Sequence, residues 1–186
     1  MSVFRKHCRI WRGKDTLEIF LLEYHKEIIV AGGLINGDDL QMRYKIFLDS
    51  NWVVQKVHLG LLNTPCSTLF MEQVETGKWV DGLGNHLPML DGCTDIDISA
   101  TPFTNTIPIK RMAQNKVAKF KVVYINSFNL TVHSVTQIYT NKGAEIYRYE
   151  NLNSLFCANI SVDVYGLIVD YPKLFQAIYV NDEEYI

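Results

Sequence analysis

No apolar run in this 186-residue chain approaches the ~20 residues that a membrane-spanning helix needs. The opening stretch, MSVFRKHCRIWRGKD, also lacks the apolar core of a signal peptide. No membrane-spanning helix is therefore expected, and a cytoplasmic location is. Cysteine is scarce and scattered. Cys8, Cys66, Cys93 and Cys157 form no C-x-x-C pair, so free thiols are expected, and zinc is not. Excess positive charge is missing too. The formal net charge is −2, which leaves no whole-molecule field to hold nucleic acid. The five histidines make no H-x-x-x-H or H-E-x-x-H arrangement, and there is no P-loop, G-x-G-x-x-G or G-x-S-x-G. No metal or other cofactor is predicted. Helical periodicity is short as well, with no 3.6-residue pattern longer than two turns.

What is present is β-structure. Turn signals recur at Asn36-Gly37-Asp38, Asp49-Ser50-Asn51, Thr76-Gly77, Asp81-Gly82, Asp91-Gly92 and Asn141-Lys142-Gly143. Between them lie short alternating or β-branched runs. Met42, Tyr44, Ile46 and Leu48 alternate with Gln41, Arg43, Lys45 and Phe47, and Ala158 to Val164 alternates likewise. Val117 to Ile125 and Leu130 to Tyr139 are long strand candidates. Many meandering strands without covering helices leave edges to protect. The expectation is one all-β domain over residues 1–186, a curled antiparallel sheet closing into a barrel or half-barrel. At most one or two short helical turns are predicted, one of them after Tyr171-Pro172.

The segment Gly92 to Met112, GCTDIDISATPFTNTIPIKRM, is the most distinctive. It opens as a strand with Asp95, Asp97 and Ser99 on one face and Ile96, Ile98 and Ala100 on the other. Pro102 then ends regular pairing, because proline has no ladder donor. A polar loop between Pro102 and Pro108 is expected, followed by Lys110-Arg111.

This segment, together with YRYE at Tyr147 to Glu150 and VDVYGLIVDYPKLF at Val162 to Phe175, resembles the "putative glycolipid-binding" family of bacterial proteins. MRYKIFLDSNW, from Met42 to Trp52, resembles the family's R-Y-x4-D-x2-W strand and turn, and Trp11-Arg12 its N-terminal motif. Lys173 stands where the family usually has glycine, and Phe175 where it usually has tryptophan. The resemblance implies an antiparallel β-barrel similar to bacterial lipoprotein carriers and an amphipathic small-molecule partner, a lipid or glycolipid.

Each constellation has two readings. Asp95 and Asp97 share a face, with Cα atoms roughly 6.5–7 Å apart. They could be the acid and base of an inverting glycosidase, but pairing with a cation such as Arg111, Arg148 or Arg43 is the more common fate of such carboxylates. Thr101, Thr104, Asn105 and Thr106 could meet a polar head group or satisfy their own backbone. Arg111 could fork onto a phosphate or stay solvated. Tyr147 and Tyr149 share one face of a strand and Arg148 takes the other. An inward Arg148 would need Asp95, Asp97 or Asp163 as partner. Cys93 could be a nucleophile, though a buried structural thiol is the commoner case.

The functional expectation is therefore a lipid- or glycolipid-binding protein with its ligand in a β-barrel cavity. Ile96, Ile98, Ile160 and Val162 would line the apolar part, and the Thr101–Arg111 segment and Arg148 would meet the head group. The candidate ligand-binding set is Asp95, Asp97, Thr101, Thr104, Asn105, Thr106, Arg111, Tyr147, Arg148, Asp163 and Arg43, with no catalytic residue assigned. Two alternatives stay open. One is a hydrolase using Asp95 or Asp97 as acid or base. The other is a non-catalytic interaction protein with a filled core and an exposed apolar patch.

Overall fold

A computed structural model describes residues 4–65, 67–112 and 116–185. Cys66, one of the four cysteines read above, lies outside them. The described residues form one sheet of fourteen strands. The first seven are β1 (Phe4–Gly13), β2 (Thr16–Tyr24), β3 (Ile28–Gly37), β4 (Gln41–Asp49), β5 (Val54–Leu61), β6 (Thr68–Glu75) and β7 (Lys78–Asp81). After β8 (Asp95–Ile98) and the helix α1 (Phe103–Arg111) come β9 (Val117–Ile125), β10 (Val132–Gly143) and β11 (Ile146–Asn151). β12 (Phe156–Val162), β13 (Ile168–Tyr171) and β14 (Phe175–Tyr185) complete the sheet.

Two meanders are joined where β1 pairs with β14, so the strand order runs from β7 back to β1, then from β14 back to β8. The sheet curls but does not close, and its free edges are the four-residue strands β7 and β8. Short edge strands limit the exposed row of unpaired backbone groups. The returning chain covers part of the β7 edge. The Leu87 N–H donates to the Trp79 carbonyl and the Gly92 N–H to the Gly77 carbonyl, each at 2.8 Å. The Trp79 indole N–H donates to the Cys93 carbonyl, also at 2.8 Å.

The alternation in β4 is realised as read, with Met42, Tyr44, Ile46 and Leu48 buried on the concave face. Two local readings change. The stretch between Pro102 and Pro108 is helix, not loop, and α1 carries Pro108 inside it. It is needed because β8 pairs with β9 in parallel, unlike every other pair. A parallel neighbour cannot be reached by a hairpin and needs a crossover, which α1 supplies. The expected helical turn after Pro172 is instead a tight reversal, closed by the Leu174 N–H on the Tyr171 carbonyl. Within it Lys173 adopts φ +68, the left-handed region that glycine occupies without steric cost.

α1 is buried from Phe103 to Ile109 and sits within the curl. Its Phe103 ring packs 4.6 Å from Phe20, which packs 4.8 Å from Trp11. The Trp11 indole N–H donates to the Ile168 carbonyl at 2.7 Å. Each such fully buried apolar side chain stabilises by about 1.5–3 kcal/mol.

Gly33 marks the tightest approach on the concave face. Tyr44 lies directly opposite it in the ladder, and a Cβ added at Gly33 would stand 2.3 Å from the Tyr44 ring and 2.7 Å from a Glu18 carboxyl oxygen. Gly33→Ala should therefore lower the urea midpoint by the equivalent of about 1–3 kcal/mol, the usual cost of overpacking. Gly32→Ala meets only an ordinary 3.5 Å contact with the Tyr44 carbonyl and should change stability little. Equal effects of the two substitutions would refute the packing account.

Candidate functional site

Thr101 begins the site by fixing the entry to α1. Its hydroxyl oxygen accepts the Phe103 N–H at 3.2 Å, and the hydroxyl donates to Glu18 Oε1 at 2.9 Å. Thr104 Oγ1 accepts the Ile98 N–H at 3.3 Å and lies 3.4 Å from Asp97 Oδ1. Asn105 Oδ1 accepts from the Tyr139 hydroxyl at 2.9 Å, and its amide donates to the Pro102 carbonyl. The Thr106 hydroxyl is buried with no hydrogen-bond partner among the described residues. Most of the polar side chains of this segment thus hold the helix in place against β8 and the sheet.

Asp95 and Asp97 share a strand face but not an environment. Asp95 is fully buried; its Oδ1 meets Arg111 Nη1 at 2.6 Å and its Oδ2 accepts the Thr94 hydroxyl at 2.7 Å. Burial raises its pKa, and the Arg111 charge opposes that rise. Among the described residues Asp97 has no cation partner. Its Oδ2 accepts from the Gln137 amide at 2.6 Å, and burial again pushes its pKa upward against that bond and the one from Thr104.

Asp97 opens onto a cavity of about 400 Å3 between the β8–α1 unit and strands β9 and β11 to β14. Five aromatic residues line it, Tyr124, Tyr149, Phe156, Tyr171 and Phe175. Four of them form a continuous wall, with Tyr171 6.1 Å from Tyr149, 6.3 Å from Phe156 and 6.2 Å from Phe175. Asp97, Thr101 and Asn105 face this wall, and Asn151 adds a further amide. Burial raises the pKa of Tyr149 and Tyr171, so both hydroxyls stay neutral donors. Ile98 reaches the cavity, whereas Ile96, Ile160 and Val162 are packed into the core.

The remaining expected residues lie elsewhere. Tyr147 is half-buried against the core. Arg148 points outward and pairs with Glu150, two residues along its own strand, at 3.1 Å. It does not meet Asp95, Asp97 or Asp163, because successive strand residues alternate faces and Tyr149 takes the inner one. Arg43 lies on the convex face. Asp163 accepts Arg9 Nη2 at 2.7 Å, in a part-buried cluster where the buried Arg9 also meets Asp182 at 2.6 Å and His7 Nδ1 lies 2.6 Å from Asp182. The arginine–aspartate network expected around Arg148 is thus built around the buried Arg9. The available signal was that Arg9 stands two residues before Trp11 and so shares its face.

Glu18 is the other residue the sequence did not single out. It is buried on β2, where Oε1 also accepts the Tyr44 hydroxyl at 2.5 Å, while Oε2 has no partner among the described residues. Burial pushes its pKa up to about 8, so it is neutral at pH 7. Cys93 is fully buried, and burial raises its thiol pKa, a structural setting more than a nucleophile's. No helix among the described residues is long and apolar enough to cross a membrane.

Comparison with known proteins agrees with this architecture. The crystal structure of a DUF1089 family protein from Pseudomonas aeruginosa is 33% identical and superposes with a TM-score of 0.68, over 95% of this chain and 92% of that one. No curated protein matches. A family model described as "Putative glycolipid-binding" matches residues 9–177. The chain belongs to the putative glycolipid-binding family.

Proposed function

We propose that this protein holds an amphipathic ligand of the lipid or glycolipid class, with the polar head in the Asp97 cavity. The observation that carries the reading is the pairing of an aromatic wall with hydrogen-bonding groups across an open cavity of about 400 Å3. Mostly apolar walls with a few convergent polar groups are the usual form of a small-molecule site. Aromatic faces suit the C–H surface of a sugar ring, and the Asp97, Asn105 and Asn151 side chains suit its hydroxyls. The family description supports the same class of ligand. α1 and the core fill the other part of the curl, so the cavity has room for a head group and a short apolar segment, not for a wide lumen.

Hydrolysis by two carboxylates is supported less well. Asp95 is locked by Arg111 and sealed from solvent, and among the cavity's lining residues Asp97 is the sole carboxylate.

The test is native mass spectrometry of the purified protein, with solvent extraction of bound molecules and titration with a monogalactosyl diacylglycerol. The protein should carry or take up a lipid-mass adduct. Tyr171→Ala and the milder Asp97→Asn should weaken uptake roughly tenfold, about 1.4 kcal/mol, in variants whose circular dichroism matches the parent. Arg148→Ala should change nothing, since that side chain faces outward. An apo mass that takes up no lipid would end this reading.

A further inference from the structure

The convex face of the sheet carries a second arrangement of polar groups, on the opposite side from the Asp97 cavity. Cross-strand partners in an antiparallel ladder share a face. Arg43, Gly60 and Thr68 are partners in one row, and Lys45, His58 and Phe70 in the next. Together they line a groove of about 510 Å3. Gly60 makes the groove. A Cβ there would stand 3.7 Å from both Arg43 Nε and a Thr68 methyl, so these side chains surround the gap without filling it.

The cations around this gap are not neutralised by the protein. Among the described residues neither Arg43 nor Lys45 has a carboxylate partner, whereas Lys56 in the adjoining row is paired with Glu72 at 3.1 Å. Lys45 rests over the Phe47 ring at 5.2 Å. His58 is held between Phe70, 4.3 Å away, and Phe47, 5.6 Å away. Its Nε2 is buried without a hydrogen-bond partner among the described residues. A buried ring nitrogen left unpaired is unfavourable, and a hydrogen-bonding ligand would relieve it.

We propose that this groove binds a phosphate-type anion through Arg43, Lys45, His58 and Thr68. A guanidinium fork, an ammonium, an imidazole and a hydroxyl are the donors that tetrahedral oxyanions take. The source of the phosphate is either a soluble phosphomonoester or a phospholipid head group. The second is compatible with the convex surface beside the groove. Arg43 is paired with Leu34, Leu34 with Ile19, and Ile19 with Ile10, and both Leu34 and Ile19 are largely exposed. Burial, then the charges of Lys56 and Lys45, lower the His58 pKa in the free protein. The charged groups around it on this face are Arg43, Lys45 and Asp49 on β4, Lys56 on β5, Glu72 on β6 and Glu27 just before β3. A bound dianion would oppose the charges of Lys56 and Lys45 and raise the His58 pKa.

The experiment follows the His58 ring C–H signals by NMR during titration with inorganic phosphate, against chloride at matched ionic strength. Saturable shifts specific to phosphate, with the His58 titration moved to higher pH, are expected. Arg43→Ala/Lys45→Ala should weaken the response at least tenfold while leaving the melting temperature within a few degrees, since both side chains lie on the outer surface. Co-sedimentation with phosphatidylglycerol vesicles, against phosphatidylcholine alone, separates the sources. Pelleting that the double variant loses identifies a lipid phosphate. A phosphate response without pelleting identifies a soluble one. A His58 signal indifferent to phosphate and to phosphatidylglycerol, or a double variant that behaves as the parent, overturns the proposal. Neither result bears on the Asp97 cavity.

Discussion

Arg111→Ala should destabilise the protein by about 3–5 kcal/mol at pH 7, the usual cost of removing one partner of a buried ion pair. The reason is the asymmetry of the pair. Asp95 is fully buried, while the Arg111 side chain remains 23% exposed at the end of α1. Without the guanidinium, Asp95 keeps the Thr94 hydroxyl but no cation. Burial already raises its pKa in the folded protein, and the loss of Arg111 should raise it further. A raised carboxyl pKa means that the folded state binds the proton more readily than the unfolded state. Stability then grows as pH falls through the folded value and levels off below the unfolded one. The variant should therefore recover much of its loss in mild acid. Adding Asp95→Asn to Arg111→Ala should also restore stability at pH 7, because no buried charge is left unpaired. Urea unfolding of the parent and the two variants at pH 5 and pH 7.5 checks this. A variant equally destabilised at both pH values would mean that packing of Arg111 over Phe120, at 5.6 Å, matters more than its charge.

Glu18 should impose a steep pH dependence from mildly acidic pH up to about pH 8. Its pKa is pushed from an ordinary 4.5 to about 8 by burial, which outweighs the bonds from Tyr44 and Thr101. Between those two values the folded protein holds a proton that the unfolded chain has lost. Stability should fall by about 1.4 kcal/mol per pH unit as pH rises across that window, and level off above it. Glu18→Gln keeps an acceptor for Tyr44 and Thr101 and removes the titration. The variant should match the parent near pH 5 within about 1 kcal/mol and exceed it by several kcal/mol at pH 9, on the same linkage. Unfolding midpoints at pH 5, 7 and 9 measure the difference. A constant gap between parent and variant would show that Glu18 is not the group responsible.

Both effects bear on the candidate site. Thr101 joins Glu18 to the start of α1 and also lines the Asp97 cavity. A charged Glu18, formed above about pH 8, would place a carboxylate beside that contact, so ligand uptake is expected to weaken in alkali, where the fall in stability has already levelled off.

The division between what could be read from the chain and what could not follows the range of the forces involved. Local alternation and turn chemistry identified the strands. Met42, Tyr44, Ile46 and Leu48 alternate with Gln41, Arg43, Lys45 and Phe47 as read, Val117 to Ile125 is a strand over the expected residues, and the curled all-β sheet follows. The G-C-x-D-I-D…T-P-x-T-N-T-x-P-I motif identified the family. The facing of β2 was not legible, because Leu17, Ile19 and Leu21 on one side are as apolar as Phe20 and Leu22 on the other. The tertiary structure turned the side bearing Glu18 inward, where Tyr44 and Thr101 could receive it. α1 was hidden for a similar reason. Its β-branched residues and Pro108 disfavour helix locally, and only burial inside the curl, with Thr101, Thr104 and Asn105 bonded to their surroundings, makes helix the lower-energy state. Asp95 and Asp97 make the same point. Two residues apart on one face, they are equivalent in sequence, yet α1 brings Arg111 to the first and leaves the second facing a cavity. Side-chain periodicity is set by neighbours along the chain, whereas charge pairing and burial are set by residues that only the fold brings within a few ångströms.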